Sequence, residues 1–468
     1  MRYPAPLEYT SIASIRGPLV VVDGVRDVGW DETVEIRTAA GDVRHGVVLE
    51  VDSRLAVVQV FEGTSGLALD GLRVSFRGRP MRIPVGEAWL GRVCNGRGEP
   101  LDGGPPVLGA DLREIGGRPI NPAARSTPSD PILTGVSVVD GLATVVRGQK
   151  LPIFSVGGLP HLELAAQIAV QASVGGEPFA VVFAAMGMTN ADAAMVRERL
   201  EARSAADDLV LFLNTAEDPL VERITTPRIA LTVAEHLAFG LGRHVLVVLA
   251  DMTSYCEAVR EVASSRGEIP SRRGYPGYLY SDLAGLYERA GRIRGRSGSV
   301  THIPVLTMPG GDITHPVPDL TGYITEGQIV LSADAHVRGV YPPFDPLRSL
   351  SRLMRLGAGA GKTRADHVDI AAQLYALVAR ARQVADLAEV VGEDALSDDE
   401  RRFLGLGQAF EQTFVHQEQD ELRSLEDTLG RAWRVASLLR ERDLSMVSDE
   451  ALASFYVHEN DGDPAAAG

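Results

Sequence analysis

The stretch Phe154-Ser-Val-Gly-Gly-Leu-Pro-His-Leu-Glu-Leu-Ala-Ala-Gln167 decides the fold of this chain. The apolar run from Leu151 to Ser155 is typical of a strand, and apolar residues recur at helical spacing from Leu162 onward. A strand, a glycine-containing turn and a helix bring backbone N–H groups and the positive end of a helix dipole to one point. Nucleotide-binding folds hold phosphate at such a junction.

The turn keeps the shape of a phosphate-binding loop but lacks its reactive side chains. The consensus G-x-x-x-x-G-K-[ST] requires a Lys and a hydroxyl. Here Gly157 and Gly158 provide the bend, and Leu159 leads to Pro160 and His161, which stand about where the cation and the magnesium-binding hydroxyl belong. These five residues are our candidate nucleotide-binding residues. We predict a site with P-loop shape and without P-loop chemistry.

The composition describes an ordinary globular protein of several domains. The chain has 468 residues, 45% of them hydrophobic, and a net charge of −16. This acidity argues against a nucleic-acid partner, because binding to a duplex depends on clustered Lys and Arg. Cys94 and Cys256 are too few for a disulfide framework or a zinc site, which favours a reducing cytoplasm. We find no signal peptide or membrane-spanning run, so we expect contact with a membrane only through other subunits.

The pattern of residues changes twice along the chain. Residues 1–76 read as short strands rich in β-branched residues, at 18–25, 33–38, 46–51 and 55–61, and predict an N-terminal β-barrel. Residues 77–351 turn to alternating strands and helices, which predict a mostly parallel, P-loop NTPase-like α/β domain that binds ligands beyond the carboxyl ends of its strands. Residues 352–455 predict a C-terminal helical domain, and 456–468 a disordered tail.

Gly357-Ala-Gly-Ala-Gly-Lys-Thr363 resembles a second P-loop but is one residue too short, because Leu356 occupies the place of the first Gly. The residues before it do not read as a buried strand. We interpret this segment as a flexible surface linker.

Asp251 follows the apolar strand from His244 to Ala250. A carboxylate at the end of a core strand beside a phosphate loop is where magnesium is held through water. An Asp at this place also serves as the N-cap of the following helix. The sequence supports both roles equally.

No general base follows the strand that ends near Ala185. An ATPase of this architecture needs a carboxylate there to orient the attacking water, and the first acid is Asp192. The loss of both the loop Lys and the base argues against hydrolysis within this chain. No His spacing indicates a metal ligand, so we predict no metal site in the chain itself.

Arg352 follows Tyr341-Pro-Pro-Phe-Asp-Pro346 in a short motif. An Arg at a subunit interface can stabilise charge on a transferring phosphoryl group, an effect of about three to five orders of magnitude in rate. From spacing alone, a surface Arg paired with an acid is the more common arrangement.

Nearly the whole chain, from about Tyr9 to about Leu439, resembles the beta chain, or B-type subunit, of V-type and archaeal-type rotary ATPases. The matching segments are Gly17-Pro-Leu-Val-Val-Val22, Val60-Phe-Glu-Gly-Thr-Ser-Gly66, Gly117-Arg-Pro-Ile-Asn-Pro-Ala-Ala-Arg125, Val146-Arg-Gly-Gln-Lys-Leu-Pro-Ile-Phe154, Gly158-Leu-Pro-His161, Ala250-Asp-Met-Thr253, Arg273-Gly-Tyr-Pro-Gly-Tyr278, Tyr287-Glu-Arg-Ala-Gly291 and Ser349-Leu-Ser-Arg-Leu-Met354. Val156 and Leu162 depart from the pattern, since many relatives have Gly and Asn there.

The resemblance implies an A3B3 ring in which B subunits alternate with catalytic A subunits, with central shaft and peripheral stalk subunits. It implies ATP or ADP at the subunit interfaces, with Mg2+ held mainly by A, and a complex on the cytoplasmic face of the membrane that couples ATP synthesis or hydrolysis to proton or sodium transport. Arg352 corresponds to the Arg that the family assigns to the neighbouring A subunit's nucleotide. The catalytic sibling has Gly-Glu-Arg in place of Gly187-Met-Thr189, which explains the absent base.

Three functions therefore remain open for this sequence. The first is a non-catalytic regulatory subunit that supplies Arg352 in trans. The alternative is a catalytic ring ATPase of the same superfamily, such as a secretion motor or an RNA translocase, which needs an intact P-loop Lys. The third is a structural ring spacer that binds no nucleotide.

Overall fold

The computed structural model describes residues 7–109, 111–201 and 208–458. Most of the tail predicted to be disordered, residues 459–468, lies outside the described residues. Tyr456 is described and packs against the helical domain, where its hydroxyl donates a hydrogen bond to the Leu439 carbonyl oxygen (2.8 Å).

The N-terminal segment forms one antiparallel sheet of seven strands, in the order β1-β7-β4-β5-β6-β3-β2. Its strands are β1 Leu7–Tyr9, β2 Ile12–Arg16, β3 Leu19–Asp23, β4 Glu32–Arg37, β5 Val43–Asp52, β6 Leu55–Val60 and β7 Arg73–Pro80. The four strands predicted from sequence correspond to β3 to β6. Alternating Val and Ile side chains bury themselves in a core of their own inside this sheet.

The central segment contains the remaining strands. They are β8 Arg82–Val85, β9 Val93–Asn95, β10 Asp111–Glu114, β11 Arg125–Ser126, β12 Pro131–Ile132, β13 Val145–Val146, β14 Ile153–Ser155, β15 Phe179–Met188, β16 Leu209–Thr215, β17 His244–Ala250, β18 Gly291–Ile293, β19 Ser299–Thr307, β20 Gly327–Val330 and β21 Leu350–Ser351. The main sheet runs β21-β20-β14-β19-β17-β15-β16-β9, and all its pairs except β20 with β21 are parallel. The prediction of a mostly parallel sheet is confirmed.

Helices cover both faces of the main sheet. They are α1 Ser137–Leu142, α2 His161–Gln171, α3 Asn190–Glu201, α4 Leu220–Glu235, α5 Met252–Ser265, α6 Leu279–Tyr287, α7 Pro316–Ile324, α8 Ala333–Val337 and α9 Met354–Gly357. One face packs with α1 to α3, and the other packs with α4 to α7. Because both faces are covered, the central strands are apolar along their whole length.

The C-terminal helices are α10 His367–Val391, α11 Asp398–Ala409, α12 Leu425–Ala436 and α13 Asp449–Phe455. They share one hydrophobic core with α1 to α3. Helix α11 begins with a full capping box, in which Ser397 and Glu400 satisfy each other's backbone N–H groups. The predicted C-terminal helices are therefore present.

Two expectations from the sequence were wrong in detail. The helix expected at 228–239 begins eight residues earlier, in α4, and Pro227 lies inside it. The hydroxyls of Thr225 and Thr226 both donate to the Glu222 carbonyl oxygen, which supports the turn before the proline. The supposed surface linker 357–363 is buried over residues 357–359, and the hydroxyl of Thr363 accepts a hydrogen bond from Gly359 N (2.7 Å).

Candidate functional site

The loop between β14 and α2 has an open, P-loop-like bend. Gly158 has a φ of +87°, a conformation that favours glycine. No atom lies within 4 Å of the positions where a Cβ of Gly157 or Gly158 would stand, so this face of the loop is open among the described residues. Val156 is not among the non-glycine residues with positive φ, so its β-branched side chain fits the bend. The predicted loop shape is therefore present.

The loop uses much of its donor capacity internally. Leu159 N donates to the Val156 carbonyl oxygen (3.2 Å). His161 N and His161 Nδ1 both lie 2.8 Å from the Leu159 carbonyl oxygen. Pro160 has no N–H, and Glu163 adds a carboxylate to the first turn of α2. The loop residues therefore lack both a cation and a full cradle of free N–H groups, and they do not fit a magnesium-bound triphosphate by themselves.

Asp251 caps helix α5 and ties it to strand β19. Its Oδ1 accepts a hydrogen bond from Thr253 N (2.7 Å), and its Oδ2 accepts one from the Thr307 hydroxyl (2.9 Å). Burial raises the pKa of Asp251, while these hydrogen bonds and the nearby His161 act in the opposite direction. The N-cap role is present in the structure. The carboxylate also lies beside the loop, where a water-mediated magnesium ion is expected.

The place of the missing base is occupied by an arginine. Gly187 lies near the end of β15 with a φ of +67°, and a Cβ there would stand 2.7 Å from Arg223 Nε. Asn214 Oδ1 accepts hydrogen bonds from Gly187 N (3.0 Å) and from Arg223 Nε (3.1 Å). Asp192 is exposed and accepts a hydrogen bond from the Thr189 hydroxyl (2.8 Å) at the start of α3. These contacts place a cation, rather than a carboxylate, over Gly187.

Arg352 immediately follows the short edge strand β21. Its backbone N donates to the Glu326 carbonyl oxygen (2.9 Å), and its Nη1 donates to the Thr325 carbonyl oxygen (3.0 Å). The residue is exposed, and within the described part of the chain no carboxylate lies within 4 Å of its guanidinium. The arrangement weighed from sequence as more common, a surface Arg paired with an acid, is therefore absent from the described residues.

The structure brings together only part of the predicted site. Ser155 at the end of β14 pairs with Thr307 at the end of β19, so the loop and Asp251 share the carboxyl edge of the sheet. Arg352 lies elsewhere, since β21 pairs with the first two residues of β20, at the amino end of the strand that runs parallel to β14. Arg352 and the loop of its own chain are therefore at opposite edges of the sheet.

Two residues of this site escaped the sequence reasoning. Thr307 is the last residue of β19, and the rule that ligands gather at the carboxyl ends of parallel strands was the signal that could have found it. Arg223 had no such signal, because it lies in the first turns of α4 and reaches Gly187 only through the fold. Among the described residues, no group of three or more His, Cys, Asp or Glu is arranged to hold a metal ion. Every helix in the described ranges is too short or too polar to cross a bilayer.

Three family models match consecutive parts of the chain. The ATP synthase alpha/beta family beta-barrel domain matches residues 12–78, its nucleotide-binding domain matches residues 135–351, and the C-terminal domain of V and A type ATP synthase matches residues 356–456. The predicted order of β-barrel, nucleotide-binding domain and C-terminal helical domain is confirmed. The boundaries at residues 76/77 and 351/352 stay predictions.

Similar proteins cover almost the entire chain. It is 53% identical over 451 residues to the B-type subunit of the A-type ATP synthase of Aeropyrum pernix, a match that spans 96% of this chain and 97% of the relative. It is 56% identical over 451 residues, with the same coverage, to a V-type ATP synthase beta chain of Halothermothrix orenii. A solved ATP synthase protein, NeqB from Nanoarcheaum equitans, is 36% identical with a TM-score of 0.71, covering 86% of this chain and 98% of that one.

Proposed function

The chain belongs to the ATP synthase alpha/beta family, among the B subunits of A-type and V-type ATP synthases, and from that membership we propose that it is a non-catalytic regulatory subunit that supplies Arg352 in trans. The receiving site is the nucleotide pocket of a neighbouring catalytic A subunit. The chain acts within an A3B3 ring that contacts central shaft and peripheral stalk subunits.

The observation that carries this proposal is the state of Arg352. Its guanidinium is exposed, forms no ion pair within the described chain and has one hydrogen bond to the Thr325 carbonyl oxygen. A guanidinium is never deprotonated in a protein and presents a planar fork of donors that suits phosphate oxygens. Because Arg352 is remote from its own chain's phosphate loop, the phosphate it serves belongs to an adjoining subunit.

The degenerate loop supports the same division of labour. Without a loop Lys and without a carboxylate directly after Ala185, the chain has neither the charge to grip a triphosphate nor the base to activate water. ATP or ADP lies at the interfaces between subunits, and Mg2+ is held mainly by A. The complex is peripheral on the cytoplasmic face of the cell membrane and couples ATP synthesis or hydrolysis to the transport of protons or sodium.

The test is the ATPase activity of a ring reconstituted from A and B subunits. We expect Arg352→Ala to lower turnover by about three orders of magnitude or more while the ring still assembles. Arg348→Ala is the matched control, since Arg348 is exposed on the same segment and its side chain has no ion pair among the described residues. Wild-type turnover in the Arg352→Ala ring would rule the proposed role out.

Two further measurements separate this function from its alternatives. The purified chain alone is expected to hydrolyse no ATP, whereas a catalytic ring ATPase would turn over by itself. Titration of an A–B heterodimer with ADP, compared with A alone, measures whether the interface adds affinity. No added affinity would favour a structural spacer.

A further inference from the structure

Arg352 is held in place by very few backbone contacts. Strand β21 has two residues, and its pairing with β20 consists of Gly327 with Ser351 and Gln328 with Leu350. The next backbone contact is the hydrogen bond from Arg352 N to the Glu326 carbonyl oxygen (2.9 Å). A short edge strand of this kind depends on side-chain contacts for a fixed position.

A buried amide supplies those contacts. Gln149 is fully buried. Its Nε2 donates to the Ser351 hydroxyl oxygen (2.9 Å) and to the Glu326 carbonyl oxygen (3.2 Å), and its Oε1 accepts from Val146 N (2.9 Å). One side chain therefore contacts both the residue before Arg352 and the carbonyl group that receives the Arg352 N–H.

The other end of this contact is also fixed. The Glu326 carboxylate accepts a hydrogen bond from Lys150 N (2.8 Å) and lies 2.8 Å from Lys150 Nζ. The side chain of Lys150 is only 5% exposed and forms a second ion pair with Glu288 (3.0 Å). Charged hydrogen bonds in a buried setting are among the strongest in proteins, so Glu326 has little freedom to move.

The Ser351 hydroxyl completes the arrangement. It accepts from Gln149 Nε2 and donates to the Thr144 carbonyl oxygen (3.1 Å). Its side chain therefore points to the inside of the domain, and the next residue, Arg352, is exposed. Substituting this hydroxyl removes two contacts from β21 and leaves a buried amide donor with one partner fewer.

From this geometry we propose that Gln149 and Ser351 are positioning residues that hold Arg352 at the height and orientation required by the neighbouring nucleotide. The inference rests on the proposed trans role of Arg352 and adds the device that sets its position. Gln149 and Lys150 lie shortly before β14, which leads into the loop of residues 156–160. The contacts of Arg352 are thus continuous with the strand that carries this chain's own phosphate loop.

The experiment compares four variants in the reconstituted ring, with kcat and the KM for ATP measured separately. Ser351→Ala and Gln149→Leu should lower kcat about 10- to 100-fold, as expected for a displaced charge near the transition state, and should leave KM within about twofold. Ser351→Thr keeps the hydroxyl and should retain wild-type kcat. Gln328→Leu is the control on β20, because its side chain contacts the Arg348 carbonyl oxygen at the surface (3.1 Å).

Assembly and thermal unfolding of each ring are measured first, and Ser351→Ala keeps the test valid if Gln149→Leu does not fold. Wild-type kcat in Ser351→Ala, a change confined to KM, or an equal loss in Ser351→Thr would each overturn the positioning role. Arg352→Ala separates the two proposals. If it abolishes turnover while Ser351→Ala does not, only the positioning role is wrong, and if it has no effect, both are wrong.

Discussion

Arg97 Nε lies 3.4 Å from Glu222 Oε2 where the β-barrel meets the α/β domain. The same guanidinium contacts Glu62 just after β6 (2.8 Å) and the exposed Glu99 (2.8 Å). Glu222 is 3% exposed and also accepts a hydrogen bond from Gly96 N (3.0 Å). A buried carboxylate is thus part of the contact between two domains.

The first prediction concerns the pH dependence of stability. Burial and the nearby charge of Asp218 raise the pKa of Glu222 from 4.5 to about 7, against the opposing effect of Arg97. The folded state therefore holds this proton more tightly, and the free energy of unfolding should fall as pH rises from about 4.5 to about 7. Glu222→Gln should flatten that decline by on the order of 1–3 kcal/mol, as measured by urea unfolding at several pH values.

Glu99→Gln is the matched control, because it removes a carboxylate from the same Arg97 at the surface. Its unfolding free energy should follow the wild-type pH profile. A Glu222→Gln profile parallel to the wild type would contradict the assignment.

The second prediction tests the close approach of β21 to β20. A Cβ at Gly327 would stand 2.2 Å from the Leu350 carbonyl oxygen, and its φ is +140°. Gly327→Ala should therefore cost about 1–3 kcal/mol in unfolding free energy and lower ring turnover by displacing Arg352. Gly322→Ala is the control, since no described atom lies within 4 Å of its Cβ position in α7, and it should be neutral or stabilising by up to about 1 kcal/mol. Equal stabilities for the two variants would show that the approach is not tight.

The third prediction separates the two roles of Asp251. Asp251→Asn keeps an acceptor for Thr253 N and should change stability little, whereas Asp251→Ala should cost about 1–2 kcal/mol as a lost N-cap. If the carboxylate also holds magnesium through water, Asp251→Asn should weaken magnesium-dependent ADP binding by an A–B heterodimer. Calorimetry with and without magnesium measures this difference. Unchanged binding would leave capping as the only role.

The fourth prediction concerns the second P-loop-like segment. Lys362 Nζ donates to the Leu356 carbonyl oxygen, and Lys362 N donates to the Gly359 carbonyl oxygen (3.1 Å). Because this Lys is engaged with its own turn at the surface, Lys362→Ala should change unfolding free energy by no more than about 0.5 kcal/mol. ADP affinity of the A–B heterodimer should also be unchanged. A tenfold loss of that affinity would identify the segment as part of a nucleotide site.

The local elements were largely predictable. Long apolar strands such as β15 and β17, and periodic helices such as α10, follow from side-chain spacing alone, because burial of one stripe or face imposes that spacing. The start of α4 was missed because Pro227 reads as a helix breaker, while its compensation by neighbouring hydroxyls is a three-dimensional property.

The amino-acid sequence by itself determined that the loop after β14 has no Lys and that no acid stands where a base is needed, since both depend only on which side chains are present. The tertiary structure alone decided that Arg223 lies over Gly187, and that Arg352 has no ion pair among the described residues and lies at the edge of the sheet opposite the loop. These facts depend on contacts between residues far apart in the chain. Such contacts follow from the packing of the whole domain and have no local pattern that reveals them.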